Sequence, residues 1–118
     1  MSPPTQSAYL RHLRDALLAV LEYTRDGREA FLASRLIQDA VIRNLEVTGE
    51  AAKGVSPETR DLAPEVPWRR IAGLRDVLIH HYFGVDVEAV WRVIEVDVPV
   101  LLPVIKKLIA DVDSLAEG

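Results

Sequence analysis

Apolar residues recur at helical spacing through most of this 118-residue chain. Residues 7–25 carry leucines and valines three or four positions apart, with Ser7 as the expected N-cap. The same spacing predicts a second helix over residues 28–53, and a third that runs from residue 67 to about residue 82. Because four or five helices joined mostly by short loops form an antiparallel bundle, we expect an all-α fold.

Prolines and capping residues divide the predicted helices. Residues 55–67 contain three prolines and little periodicity, so we expect a loop with one helical turn after Ser56. Asp86 is placed to cap a fourth helix. Pro99 and Pro103 each remove a backbone hydrogen-bond donor, which predicts a kink or break before a last helix.

Length and composition fit one folded domain. The 118 residues are about the size of one compact domain, so residues 1–118 are expected to form a single helical domain. The first seven residues do not resemble a secretory signal, and no apolar run approaches the ~20 residues of a membrane span. We therefore expect a cytoplasmic protein without a membrane partner. The chain has no cysteine, which excludes disulfides, thiolate nucleophiles and the common structural zinc sites.

The charge limits how this protein can bind nucleic acid. The formal net charge is −4, so the surface as a whole does not attract RNA or DNA. Eleven arginines against three lysines provide most of the positive charge. Since the guanidinium fork suits bidentate contacts with phosphate, any RNA binding is expected to be local.

The segment Arg-Asp-Val-Leu-Ile-His-His-Tyr-Phe-Gly at residues 75–84 carries the most informative polar side chains. A helical wheel at about 100° per residue sorts this segment and the turns before it into three stripes. The stripes are Ile71, Leu74, Leu78 and His81; Arg69, Gly73, Asp76 and His80; and Trp68, Arg75, Ile79 and Tyr82.

The polar side chains of these stripes have structural or functional interpretations. His81 fits a histidine that is satisfied inside the bundle. Asp76, one turn before His80, either holds the imidazole in one tautomer or forms a solvated pair that adds little stability. Arg75 and His80 are about 140° apart on a straight helix. They converge only if the arginine wraps around the helix or if a partner completes the site, and the wheel does not decide between these.

The pattern Arg75-x4-His80-x-Tyr82 resembles the signature of HepT-like ribonucleases, which belong to the HEPN superfamily. The preceding run Trp68-Arg69-x-Ile71-x-Gly73 resembles the sequence that leads into that signature. In the second helix, Arg43-Asn44 followed by Gly49-Glu50-Ala51 is also similar to the family, and this similarity offers a reason for the polar Asn44 on an apolar stripe. The resemblance implies a HEPN-like helical bundle.

The resemblance also implies an activity, a metal-independent endoribonuclease without a cofactor. The RNA 2′-hydroxyl would attack the adjacent phosphate and leave a cyclic phosphate and a 5′-hydroxyl. His80 would act as general base or acid, Arg75 would bind the scissile phosphate, and Tyr82 would support the site by a hydrogen bond. The secondary candidates for the site are Asp76, Asn44 and Glu50.

Family members of this type imply two protein partners. The first is a second copy of the chain, because their motifs face each other across a homodimer cleft, which would solve the 140° separation between Arg75 and His80. The second is a minimal nucleotidyltransferase antitoxin, which in some pairs transfers AMP from ATP to the motif tyrosine, here Tyr82. Adenylate beside Arg75 would fill the phosphate site and exclude RNA.

Three other interpretations remain at this stage. The same fold could serve as a non-catalytic subunit that binds a nucleotide or the nucleotidyltransferase. It could be a helical interaction module in which Tyr82, Phe83 and Trp91 only pack. A four-helix metal enzyme is disfavoured, because it needs several inward His and Glu ligands and the chain has only three histidines.

Overall fold

The structure is a computed structural model that describes residues 5–74, 78 and 86–117. All regular elements in this part of the chain are helical, which confirms the all-α class. No helix in the described part is long and apolar enough to cross a membrane. The elements are α1 (Gln6–Tyr23), α2 (Arg28–Ala33), α3 (Arg35–Lys53), α4 (Pro57–Arg60), α5 (Trp68–Ala72), α6 (Val87–Arg92), a π-helical segment (Val93–Asp97) and α7 (Val98–Glu117).

The long helices α1, α3 and α7 pack side by side, with α1 antiparallel to both neighbours. The start of α1 meets the end of α3, where the Gln6 side chain donates to the Gly54 oxygen at 3.1 Å and accepts from the Ser56 N–H at 2.7 Å. The same end of α1 meets the end of α7, where Arg11 and Asp113 form an ion pair at 2.6 Å. These contacts confirm the antiparallel arrangement that short loops predict.

Two predicted helix boundaries are wrong, and both errors come from capping. Helix α1 is capped by Thr5 rather than Ser7, since the Thr5 hydroxyl accepts from the N–H of Ala8. The second predicted helix is divided at Ser34, which has extended backbone angles and whose hydroxyl accepts from the N–H of Ile37 at 3.2 Å. A break that is capped by a side chain costs little free energy, and the apolar spacing on either side of it is unchanged.

The prolines of the last segment do not break it, so of the kink or break that was expected the break is wrong. The chain is helical without a gap from Val87 to Glu117, although Pro99 lacks the N–H that would bond to the carbonyl of Glu95. Instead, the turn before Pro99 contains one extra residue, and the N–H of Val98 donates to the oxygen of Val93, five residues back. This π-helical turn lets the helix continue past the missing N–H of Pro99.

In the part of the chain that the structure describes, the buried side chains form two core clusters. The larger cluster joins α1, α3, α5 and α7, and the smaller joins α1, α2, α3 and α6 with the π-helical segment. The shared helices α1 and α3 are the common wall of both clusters. In the larger cluster, the most deeply buried side chains include Leu10, Leu13, Leu17, Ile105 and Leu108. In the smaller cluster, they are Val20, Phe31, Val41 and Leu45.

Candidate functional site

The predicted catalytic residues follow directly after α5. Arg75, Asp76, His80 and Tyr82 lie outside the described residues, and so does His81. The roles predicted for them therefore stay predictions. The structure describes the helices before and after this segment, α5 and α6, and the way in which each is attached to the bundle.

Helix α5 is held by its first residue, Trp68. The indole is buried, and its N–H donates to the backbone oxygen of Ala63 at 3.1 Å. The guanidinium carbon of Arg60 lies 5.8 Å from the centroid of the ring. The same guanidinium donates to the oxygen of Ala52 in the last turn of α3, at 2.8 Å, and to that of Val55 just after the helix, at 3.0 Å. The predicted loop after α3, with its turn of helix, thus ties α5 to α3.

The start of α6 is fixed by a cap and an ion pair. Asp86 accepts hydrogen bonds from the N–H groups of Glu88 and Ala89 at 3.1 and 3.2 Å, which confirms it as the N-cap. Both carboxylate oxygens of Glu88 contact Arg28, at 2.6 and 2.8 Å. The hydrogen bonding to Glu88 and the negative charge of its carboxylate raise the pKa of Arg28 above its ordinary value. The start of α6 is therefore joined to the start of α2.

An apolar groove of about 300 Å³ opens beside α5. The buried side chains of Leu17 and Leu45 line its inner part, and Val96 and Val100 line its outer part with 53% and 70% of their surface exposed. Leu74, the last described residue before the motif, also lines the groove. The groove therefore reaches the beginning of the motif, a feature that the sequence does not indicate.

The two adjacent arginines of α5 have different surroundings. Arg70 lines the groove and pairs with Asp97 of the π-helical segment at 3.3 Å. Arg69 is exposed, and among the described residues it has no carboxylate within ion-pair distance. Neither Arg69 nor Gly73 lines the groove, so these two residues lie on another face of the helix than Arg70 and Leu74.

The two secondary candidates on α3 do not lie together. Asn44 is half-buried, and its amide nitrogen donates to the oxygen of Ala40 at 2.9 Å. Glu50 is exposed and lines a polar cleft of about 590 Å³ between α1 and α3, beside Tyr9 and His12. Six residues turn a helix by about 240°, so the two side chains leave α3 in different directions. Their participation in the site stays a prediction.

The described residues offer no obvious cation site. No group of three or more histidines and carboxylates within the described ranges is placed to hold a metal ion. Of the three histidines, only His12 lies in those ranges, on the exposed side of α1.

Comparison with known proteins places the chain in a ribonuclease family. Residues 13–108 match the family model described as Ribonuclease HepT-like. A protein of Thermococcus cleftensis named Probable ribonuclease HepT is 44% identical over 101 residues, which cover 85% of this chain and 92% of the relative. A protein of Caldanaerobacter subterraneus, named as a candidate RNase, is 35% identical over 106 residues, which cover 89% of this chain and 95% of the relative.

A third relative shows that the same domain also occurs in longer proteins. It comes from Methanocaldococcus jannaschii, is named for a gamma-glutamylcyclotransferase and, as a candidate, for an RNase, and is 41% identical over 107 residues. The match covers 90% of this chain and 48% of the relative, so the chain spans about half of that protein's length. No solved structure matches the chain.

Proposed function

The chain belongs to the ribonuclease HepT-like family, and on that premise we propose that it is a metal-independent endoribonuclease whose chemistry depends on Arg75 and His80. The observation that carries the proposal is the Arg75-x4-His80-x-Tyr82 pattern inside the matched residues. Relatives that are matched over nine-tenths of their own length are named as ribonucleases. The cleavage chemistry needs no group beyond the side chains of the motif.

The proposed reaction is an attack within the RNA strand. The 2′-hydroxyl loses its proton to a general base, and its oxygen forms a bond to the adjacent phosphorus. The bond from phosphorus to the 5′-oxygen breaks, and that oxygen takes a proton, which leaves a 2′,3′-cyclic phosphate and a 5′-hydroxyl. His80 either accepts the proton of the 2′-hydroxyl or donates the proton to the 5′-oxygen, since imidazole titrates near neutral pH. Arg75 offsets the charge gained by the phosphate oxygens in the transition state.

The proposed enzyme is a homodimer, and the apolar groove supports this. A twofold interface places the same patch on both copies, so it must contain both a protrusion and a recess. Val96 and Val100 are exposed along the outer part of the groove of about 300 Å³, and in the proposed dimer these valines enter the groove of the other copy. Because Leu74 lines the groove, the second copy lies next to the motif. Arg75 of one chain and His80 of the other then share a cleft.

A substitution in the proposed interface tests the dimer. Val100→Asp places a charge on the exposed patch and leaves the folded chain intact, so we expect a monomer without ribonuclease activity. Leu115→Asp is the matched control, because Leu115 is an exposed apolar residue of the same helix, with 66% of its surface accessible. Sedimentation of both variants and the parent shows whether each protein is a monomer or a dimer. A dimeric Val100→Asp variant would refute this interface.

The proposed biological setting is a cytoplasmic toxin–antitoxin pair. The enzyme is the toxin, and a minimal nucleotidyltransferase neutralises it, either by binding or by transferring AMP to Tyr82. An adenylate on Tyr82 adds a bulky anion beside Arg75, which competes with the phosphate of RNA. The substrate class is tRNA, mRNA or both.

The activity is tested by the cleavage of total tRNA in the presence of EDTA. We compare the parent protein with Arg75→Ala and His80→Ala, and confirm the folding and sedimentation of each. Cleavage by the parent, with losses of about 10²-fold or more in both variants, is the expected result. Intact RNA after incubation with a folded, unmodified parent dimer would contradict the activity and favour a non-catalytic subunit that binds the nucleotidyltransferase.

A further inference from the structure

Three of the four glycines in the described part of the chain, Gly27, Gly54 and Gly73, can be compared for what requires them. Gly27 has a φ of 94°, in the left-handed region that favours glycine. At Gly54 the backbone is right-handed, but a Cβ atom would overlap the ring of Tyr9. Conformation explains the first glycine, and close packing of α1 against α3 explains the second.

Gly73 has neither explanation. Its φ of −81° and ψ of −10° are open to any residue. Among the described residues, a Cβ atom would meet only the carbonyl oxygens of Arg69 and Arg70, at 3.4 and 3.6 Å, which belong to the preceding turn of its own helix. Alanine would favour a helical turn more than glycine does. Nothing in the described part of the chain therefore excludes a side chain here, and its absence leaves the backbone of this half-buried residue partly accessible.

Arg69 lies one turn before Gly73, on the same face of the helix. Its guanidinium is exposed and has no ion-pair partner among the described residues, whereas that of Arg70 is paired with Asp97 at 3.3 Å. The face that carries Arg69 and Gly73 is not the one that lines the apolar groove. On the helical wheel of the sequence, these two residues share their stripe with His80.

We propose that Arg69 and Gly73 form a contact for the RNA backbone next to the scissile phosphate. Arg69 binds a neighbouring phosphate through its guanidinium fork, and Gly73 lets the sugar–phosphate chain approach the helix backbone. A cation with no ion-pair partner among the described residues, beside partly accessible backbone, fits an anionic polymer, and it gives a protein with net charge −4 a local site of attraction. Arg69 is a substrate-positioning residue here, and the inference rests on the proposed ribonuclease function.

The test measures binding rather than cleavage. A fluorescent single-stranded oligoribonucleotide with 2′-O-methyl groups cannot be cleaved by attack of its own 2′-hydroxyl, so its Kd is measured by anisotropy over a range of salt concentrations. We expect Arg69→Gln to raise the Kd about tenfold and to lower the slope of log Kd against log salt by about 0.7, one single-strand phosphate contact. Lys106→Gln is the charge-matched control, since Lys106 is exposed on α7, and it should leave both quantities unchanged.

Gly73→Ala supplies the second variant. Because alanine is a better helix former, the variant should melt no lower than the parent, yet bind the oligonucleotide several-fold more weakly. A parent-like Kd for both Arg69→Gln and Gly73→Ala would overturn the inference, even if the parent cleaves RNA. If Gly73→Ala instead changes sedimentation, the open backbone contacts a second copy and the inference is wrong. Binding with the expected losses, but without cleavage of unmodified RNA, would support this contact and refute the proposed activity.

Discussion

Replacement of Trp68 by phenylalanine tests how α5 is held in front of the motif. The change removes the indole N–H, so the oxygen of Ala63 loses one of its two donors and keeps the backbone N–H of Val66 at 3.1 Å. It also weakens the contact of the ring with Arg60. We assign ~0.5–1.5 kcal/mol to the lost hydrogen bond and up to ~1 kcal/mol to the weakened cation–π contact. The expected loss in the free energy of unfolding is therefore about 1–2.5 kcal/mol.

The assay is thermal unfolding at fixed protein concentration, because the proposed dimerisation would make Tm depend on concentration. For a chain of this size, about 1–2.5 kcal/mol corresponds to a decrease in Tm of roughly 4–10 °C. Trp91→Phe is the matched control. The Trp91 indole also donates a hydrogen bond, to Glu95 at 3.0 Å, but that bond is exposed. The control should lose less than about 1 kcal/mol. An equal decrease in both variants would refute the role assigned to Trp68.

Two further predictions concern the junctions of α1. Gly54→Ala should destabilise the fold by about 1–3 kcal/mol, because the new methyl group overlaps Tyr9; denaturant unfolding measures this, and a neutral result would contradict the close approach. The hydroxyl of Ser7 and the guanidinium of Arg11 lower the pKa of Asp113, so this carboxylate stabilises the fold above its ordinary pKa and stops doing so as the pH falls through the lowered pKa. Asp113→Asn should thus be slightly less stable than the parent at neutral pH, and the difference should vanish in acid; a difference that persists in acid would count against the ion pair.

The sequence predicted the parts of the fold that depend on local signals. The spacing of leucines and valines identified α1, Ser56 and the proline after it marked the single turn of α4, and the Asp86 side chain marked the start of α6. Each of these signals lies within a few residues of the element that it specifies.

The predictions from the sequence were wrong where the backbone had an alternative conformation of little free-energy cost. A capping hydroxyl at Ser34 divides the second helix without changing its apolar period. A π-helical turn lets the last helix continue through Pro99, although the loss of a donor favours a break. Such choices depend on neighbouring helices as well as on the residue itself, so a pattern along one segment does not decide them.

The candidate site was predicted from its motif, while its surroundings were not. Arg75 and His80 follow from the resemblance to a family. The apolar groove beside Leu74 arises from side chains that are far apart in sequence and meet only in the folded bundle. The open backbone at Gly73 has meaning only once its neighbours are known, because the same residue type elsewhere serves a turn or a close contact.

The most direct test of the central claim is the chemistry of the RNA ends. A defined oligoribonucleotide is incubated with the purified protein in EDTA, beside the His80→Ala variant, and the products are identified by mass spectrometry. The account predicts 2′,3′-cyclic phosphate and 5′-hydroxyl ends with the parent protein and intact RNA with the variant. Products that carry 5′-phosphate ends, or equal cleavage by both proteins, would contradict it.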